Sequence, residues 1–186
     1  FLAPPLAADG FDVAVVNYPL SPERNVGEIV VAAAAALPVL AELTDHAPLV
    51  LIGHSAGAQI AVELAMAAPP AIGPIAGIVA ISGVFDLEPL LDTSVNAKLG
   101  LDPQTARAAS PIHRVTPGAP RTLFAVGALE TQAFRDQTAA MAKAWASAGN
   151  PADEVTVPGA DHFSILDQLC QADSVLRTAI GQMDYR

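Results

Sequence analysis

The pentapeptide Gly53-His54-Ser55-Ala56-Gly57 puts one serine at the junction between an apolar run, Leu49 to Ile52, and an alanine-rich segment with helical spacing. The pattern fits G-x-S-x-G, a tight strand-to-helix turn that presents a nucleophilic hydroxyl. The reason for its glycines is steric. A strand that reverses into a helix within a few residues brings backbones close, and glycines two before and two after the serine keep Cβ atoms out of that contact. The turn lifts the Ser55 hydroxyl clear of the sheet. The backbone N–H of Ala56, at the start of the helix, then points to where an oxyanion would form.

A serine hydroxyl is a poor nucleophile at neutral pH and needs a base, most often a histidine oriented by a carboxylate. In this fold the partners follow in the order serine, acid, histidine, each after a later strand. Of four histidines, His162 follows the last expected strand, in "PGADHFSIL", and suits the base. His54 lies inside the turn, points away from its neighbouring serine and reads as structural. His46 ends a helix, where a ring donor suits the last carbonyls. His113 lies in the irregular stretch 84–118 as a candidate substrate contact. The acid should follow the strand at 121–127, and Glu130 is the only carboxylate of the loop "GALETQAF". Asp161 is a rival beside His162, although an aspartate there more naturally holds the loop backbone. Asp86 is a lesser rival that would otherwise cap the following helix. Asp136 should face solvent. The sequence has no HExxH, paired CxxC, P-loop or dinucleotide glycine fingerprint, and its histidines lack metal-ligand spacing. Neither a metal nor an organic cofactor is implied.

These residues need a scaffold, and the chain has the composition for one. Its 186 residues suit a single domain with a sizeable core, and just over half of them are hydrophobic. The net charge of −10 disfavours nucleic acid and anionic membrane surfaces as partners. The single cysteine, Cys170, cannot form an intrachain disulfide and reads as a small buried hydrophobe on the last helix. Strands are expected at 11–20, 48–53, 76–83, 121–127 and 153–159. Helices are expected at 25–46, with Pro38 a kink or break, and at 56–68, 131–149 and 164–180. The longest apolar run, "IVVAAAAALPVLAEL", reads as a buried amphipathic helix too short to span a bilayer. Alternating strands and helices with apolar strands imply a parallel sheet covered on both faces, with ligands bound beyond the carboxyl ends of the strands. The stretch 84–118 lacks strand pattern and reads as a cap over that edge.

With these residues in place, the chain resembles an α/β-hydrolase of the esterase/lipase superfamily, and more closely the kynurenine formamidase (arylformamidase) group. The resemblance covers nearly the whole chain. It rests on "NYPLSPE", on "GHSAGAQIA", on "VGALETQAFRDQT" with its F-x-x-Q helix, and on "DHFSIL". Most specific is "SGVFDLEPLLDTSVNAKLGLDPQTARAASP". The resemblance implies a single domain over 1–186, a mostly parallel sheet with helices on both faces, a small helical cap insertion at 84–118, and missing N-terminal strands. It implies a triad of Ser55, Glu130 and His162. Members usually carry Asp at the acid position and His where this chain has Gln59. They also carry an HGG-type motif that supplies further oxyanion donors, and no such motif occurs here. The first recognisable element resembles the helix preceding the family's fourth strand, so the motif is expected just upstream of Phe1; the alternative is a shortened relative with an impaired oxyanion hole.

The resemblance further implies hydrolysis of N-formyl-L-kynurenine to L-kynurenine and formate, a step of tryptophan catabolism. The aromatic amino acid would lie under the cap, near Phe85, Leu87, Asn96 and His113. The alternatives are a carboxylesterase acting on short acyl esters and a non-catalytic hydrolase-fold binding protein. The expected partner is a small-molecule substrate, without nucleic acid or membrane. A homodimer is allowed, and a cytoplasmic location is the expectation.

Overall fold

A computed structural model describes residues 1–68 and 70–182; residues 69 and 183–186, at the end of the expected 1–186 domain, lie outside the described residues. Four strands form one sheet in the order β1 (Leu49–His54), β2 (Ile75–Ile81), β3 (Thr122–Gly127) and β4 (Ala152–Val157). All three pairings are parallel. Each crossover therefore steps one strand further in the same direction. Right-handed steps of that kind put the crossover helices on one face. Accordingly α4 (Ala56–Ala67) and α7 (Gln132–Ser147) share one core with Ile78, Ala80 and Phe124 of the sheet. In it Trp145 is fully buried and donates its indole N–H to the Pro120 carbonyl at 3.1 Å.

The alternate strand residues Val79, Ile81, Leu123 and Ala125 point to the opposite face, as the two-residue period of a strand requires. That face is covered by the C-terminal segment, through Ile165, Leu169, Leu176 and Ile180. The segment is not the continuous helix expected at 164–180. It divides into a 3-10 stretch, Ser164–Cys170, and α8 (Val175–Gly181), where Ser174 caps the new helix by accepting from the Arg177 N–H at 3.1 Å. Cys170 therefore lies on the 3-10 stretch and is only half-buried.

Two other expectations are corrected. Residues 11–20 form no strand, and Val15 and Leu20 are exposed. β-Branched residues favour a pleated, half-buried surface, but ladder hydrogen bonds to a neighbour make the strand, and β2 is the only strand paired with β1 among the described residues. The helix expected at 25–46 is two helices, α2 (Val26–Ala34) and α3 (Ala36–Leu43), with the break at Ala35. Pro38 accounts for it, because it lacks an N–H and its ring clashes with the carbonyl four residues back. Nor is this stretch a buried helix: 17% of the window Val26–Leu43 is buried, and Val31 and Leu43 face solvent. By length and mean hydropathy alone (1.9 over 18 residues) the window Val26–Leu43 is long and apolar enough to cross a bilayer, although it is divided between two helices. A helix α1 (Ala3–Ala8) precedes these elements.

Residues 84–118 contain only short pieces: a 3-10 turn at Glu88–Leu90, α5 (Asn96–Leu99), α6 (Pro103–Ala108) and a 3-10 turn at Pro111–His113. They are tied down by polar side chains, several of them on α4 and α7. Gln137 on α7 accepts from the Phe85 and Asp86 N–H groups at 2.9 and 2.8 Å and donates to the Asp86 carbonyl at 2.7 Å. Gln59 on α4 donates to the Ala109 carbonyl at 3.2 Å, and Arg114 pairs with Glu63.

Truncation of Trp145 to Ala is expected to cost about 3–5 kcal/mol, the usual loss for a fully buried large aromatic. Urea unfolding of the two proteins measures it.

Candidate active site

The turn after β1 bears out the steric role expected of Gly53 but not that of Gly57, where a Cβ would meet only the Tyr18 hydroxyl at 3.6 Å, an ordinary contact. Ser55 has φ 55° and ψ −121°, a conformation that L-residues avoid except where the surroundings enforce it. A Cβ on Gly53 would lie 2.0 Å from the Gly57 carbonyl oxygen. The Ser55 N–H continues the sheet ladder onto the Ile81 carbonyl at 2.9 Å, which fixes the turn to the end of β2. Ala56 begins α4 and is exposed. Its N–H belongs to the first helical turn, whose donors have no partner within the helix.

The acid loop is built at the end of β3. Glu130 sits three residues past Gly127, donates its N–H back to the Gly127 carbonyl at 3.1 Å, and accepts the Gly127 N–H on its Oε1 at 2.8 Å. Its side chain has no exposed surface. The Ser82 hydroxyl donates to the same Oε1 at 2.6 Å. Arg135 donates to the Glu130 carbonyl, not to the carboxylate.

The histidine loop follows β4 and is clasped to the acid loop through backbone. The Ala128 N–H reaches the Val157 carbonyl and the Leu129 N–H the Ala160 carbonyl, both at 2.9 Å. Gly127 is required at this approach, since a Cβ there would lie 2.3 Å from the Ala160 oxygen. Asp161 shapes the loop. Its Oδ1 accepts from the Phe163 N–H (3.0 Å), the Ser164 N–H (2.8 Å) and the Ser164 hydroxyl (2.9 Å). These donors, chiefly the Ser164 N–H, hold its carboxyl below the ordinary value of 3.8.

The three loops bring Ser55, His162 and Glu130 together. His162 Nε2 is 3.2 Å from Ser55 Oγ, and its Nδ1 is 2.7 Å from Glu130 Oε2. Because a carboxylate only accepts, Nδ1 carries the proton and Nε2 faces the serine hydroxyl as an acceptor. The ring lies between neighbours that fix its plane. Phe134 stacks on it with centroids 4.3 Å apart and 30° between the planes, and His54 lies 4.6 Å away. His54 turns from the serine, as its place in the turn predicts, and its Nε2 donates to the His162 carbonyl at 2.7 Å. Burial lowers the His54 pKa, against the opposing effect of that hydrogen bond, which favours a neutral ring beside the base.

The other carboxylates are committed elsewhere. Asp86 accepts from the Glu88 N–H at 3.0 Å, at the start of the turn that follows it, and Asp136 is exposed and accepts from Gln132. His46 takes a left-handed conformation after α3 and donates its N–H to the Ala41 carbonyl at 2.7 Å. Of the cap residues expected to meet substrate, Phe85, Leu87 and Asn96 need correction. Phe85 is fully buried against Phe124, and Leu87 is buried as well. Asn96 spends its side chain on the chain around it, bonding the Leu91 and Leu101 carbonyls and the Leu101 N–H. In all three the apolar core or the loop backbone claims the side chain. His113 lies 3.9 Å from both Asp86 and Glu88, and the donor atoms of these three lie within 4.8 Å of one another. Ser82, Phe134 and Gln137 were not singled out from sequence. The "SG" that ends β2 and the F-x-x-Q of α7 were the available signals.

Two outcomes follow from this geometry. Gly53→Ala is expected to destabilise the chain by about 3 kcal/mol or more, because backbone must move to admit the methyl group; thermal unfolding reads it. Asp161→Ala should lower the Tm at neutral pH. A carboxyl whose folded pKa is depressed contributes fully above its unfolded value and loses that contribution as pH falls through the folded one. The gap to wild type should therefore narrow below about pH 4, seen in Tm measured across an acid pH series.

Residues 6–166 match the family model described as alpha/beta hydrolase fold. A kynurenine formamidase of Danio rerio is 30% identical over 192 residues, which cover 98% of this chain and 66% of that protein. One of Drosophila melanogaster is 28% identical, over 91% of this chain and 62% of that protein. The chain spans about two thirds of the length of these relatives. Among solved structures, a Silicibacter protein with an inferred thioesterase assignment is 32% identical. It superimposes with a TM-score of 0.84, covering 97% of this chain and 68% of its own. An esterase of Pyrobaculum calidifontis, 20% identical, shares the fold with a TM-score of 0.73 over 90% of this chain and 64% of its own. The strained serine turn, the parallel sheet and the family match agree, and the chain belongs to the alpha/beta hydrolase fold family.

Proposed function

We propose that the chain is a serine hydrolase that cleaves the formyl amide of N-formyl-L-kynurenine, with Ser55 as nucleophile, His162 as base and Glu130 as the orienting acid. The observation that carries the reading is the continuous polar chain from Ser55 Oγ through the His162 ring to Glu130. The choice of substrate rests on the kynurenine formamidases matched over nearly the whole chain.

As the Ser55 oxygen attacks the formyl carbon, His162 Nε2 takes the hydroxyl proton. Glu130 holds the imidazole in the Nδ1–H tautomer and stabilises the imidazolium that forms. The Ala56 N–H donates to the developing oxyanion, a contribution worth about 3 kcal/mol for a single donor. The protonated His162 then gives its proton to the departing arylamine, which leaves formyl-serine. Water, deprotonated by His162, attacks the formyl-serine and releases formate. A formyl group needs almost no room on the acyl side.

A second reading, hydrolysis of short acyl esters or thioesters with the same residues, draws on the Silicibacter relative. The two differ in substrate alone, since the fold does not fix the leaving group. Purified protein with N-formylkynurenine, a short p-nitrophenyl ester and a short acyl thioester as parallel substrates separates them. Turnover of the formamide supports the first reading, whereas turnover of the esters only overturns it.

The catalytic assignment has its own measurement. A fluorophosphonate probe is expected to label wild type and not Ser55→Ala. His162→Ala should reduce kcat roughly ten-thousand-fold, and Glu130→Gln by a similar or smaller factor. A Glu130→Gln variant near wild type would move the acid to another carboxylate.

A further inference from the structure

We propose that Ser82 is a positioning residue of the active site, whose hydroxyl anchors one oxygen of the Glu130 carboxylate and so turns the other toward His162; this rests on the serine-hydrolase reading above. Ser82 is the first residue after β2 and has no exposed surface. Its backbone is left-handed, with φ 51°. Only glycine, and to a lesser degree asparagine and aspartate, takes that conformation cheaply, so a serine there costs the fold stability. A glycine is the next residue, yet the strained position carries the hydroxyl.

The geometry gives that hydroxyl one evident use. Ser82 Oγ donates to Glu130 Oε1 at 2.6 Å, a short bond of the charge-assisted kind. The Gly127 N–H donates to the same oxygen at 2.8 Å. Both donors occupy Oε1, which leaves Oε2 to His162 at 2.7 Å. The left-handed turn is what aims the hydroxyl, because the Ser82 N–H stays in the sheet ladder, bonded to the Ala125 carbonyl at 2.7 Å. Two adjacent strand ends, β2 and β3, thus hold one carboxylate between them. A glutamate has one more rotatable bond than an aspartate and needs more restraint to hold its carboxylate in one plane. Ser82 supplies that restraint from a second strand.

The test compares Ser82→Ala with Ser82→Gly, using a p-nitrophenyl ester and fluorophosphonate labelling. Both lose the hydroxyl, but glycine adopts φ 51° without strain and alanine does not. A hydrogen bond to a charged group implies a kcat loss of about ten- to hundredfold in both variants, with KM within about twofold. The loss should largely vanish when Ser82→Ala is made in a Glu130→Ala background, where no carboxylate remains to be held. A low-field proton resonance of the His162 Nδ1–H, present in wild type and weakened or shifted in both variants, reads the Glu130–His162 bond without turnover. Full activity in Ser82→Gly, additive losses with Glu130→Ala, or an unchanged resonance overturns the proposal. A wild type that neither turns over nor labels defeats the hydrolase reading instead, and the resonance then still decides the role of Ser82.

Discussion

The site depends on a contact between backbones: Gly53 lies so close to the Gly57 carbonyl that no Cβ fits on Gly53. That approach forces the chain from strand to helix at Ser55 and drives the serine into its strained conformation. Were the turn looser, the hydroxyl would lie back on the sheet and the Ala56 N–H would lose its aim. A second close approach, of Gly127 to the Ala160 carbonyl, does the same for the other half of the site. It fastens the acid loop to the histidine loop by backbone, so that the Glu130 and His162 side chains start from fixed positions.

Between these two clamps the sheet ladder continues past the strand ends. Ser55 bonds to Ile81 and Ser82 to Ala125, one strand further each time. The strand ends are therefore held in register where the chemistry sits. Residues at 55, 82, 130 and 162 become neighbours because the parallel strands release the chain at the same rim. The histidine is fixed by an aromatic surround as well as by hydrogen bonds, with Phe134 on its ring and His54 on its carbonyl.

The crossover direction explains the asymmetry of the core. Stepping always to the next strand places α4 and α7 on one face and leaves the other to the C-terminal segment, which follows β4. That face is closed partly by a 3-10 stretch. The histidine loop leads directly into it, so the segment that carries His162 also closes the core on that face.

Much of this was legible in residue order. The four strands, α4 and α7 follow from apolar runs and helical spacing, and the serine turn follows from glycines at fixed offsets. Glu130 and His162 were identified because each follows a strand, and the structure does bring them to Ser55. The break at Pro38 was legible too, since a missing N–H is a local property. What failed was whatever needed a partner. Residues 11–20 carry strand residues but join no strand pairing among the described residues, and the apolar α2 and α3 leave Val31 and Leu43 exposed. Phe85 and Asn96 were expected to meet substrate, and the core and the local backbone claimed them. The sequence by itself determined the local chemistry and the turns that carry it, because sterics and periodicity act over a few residues. Only the tertiary structure decided that Ser82 holds Glu130 and that His54 holds His162, because those contacts join residues 48 and 108 positions apart and exist only once the strands lie side by side.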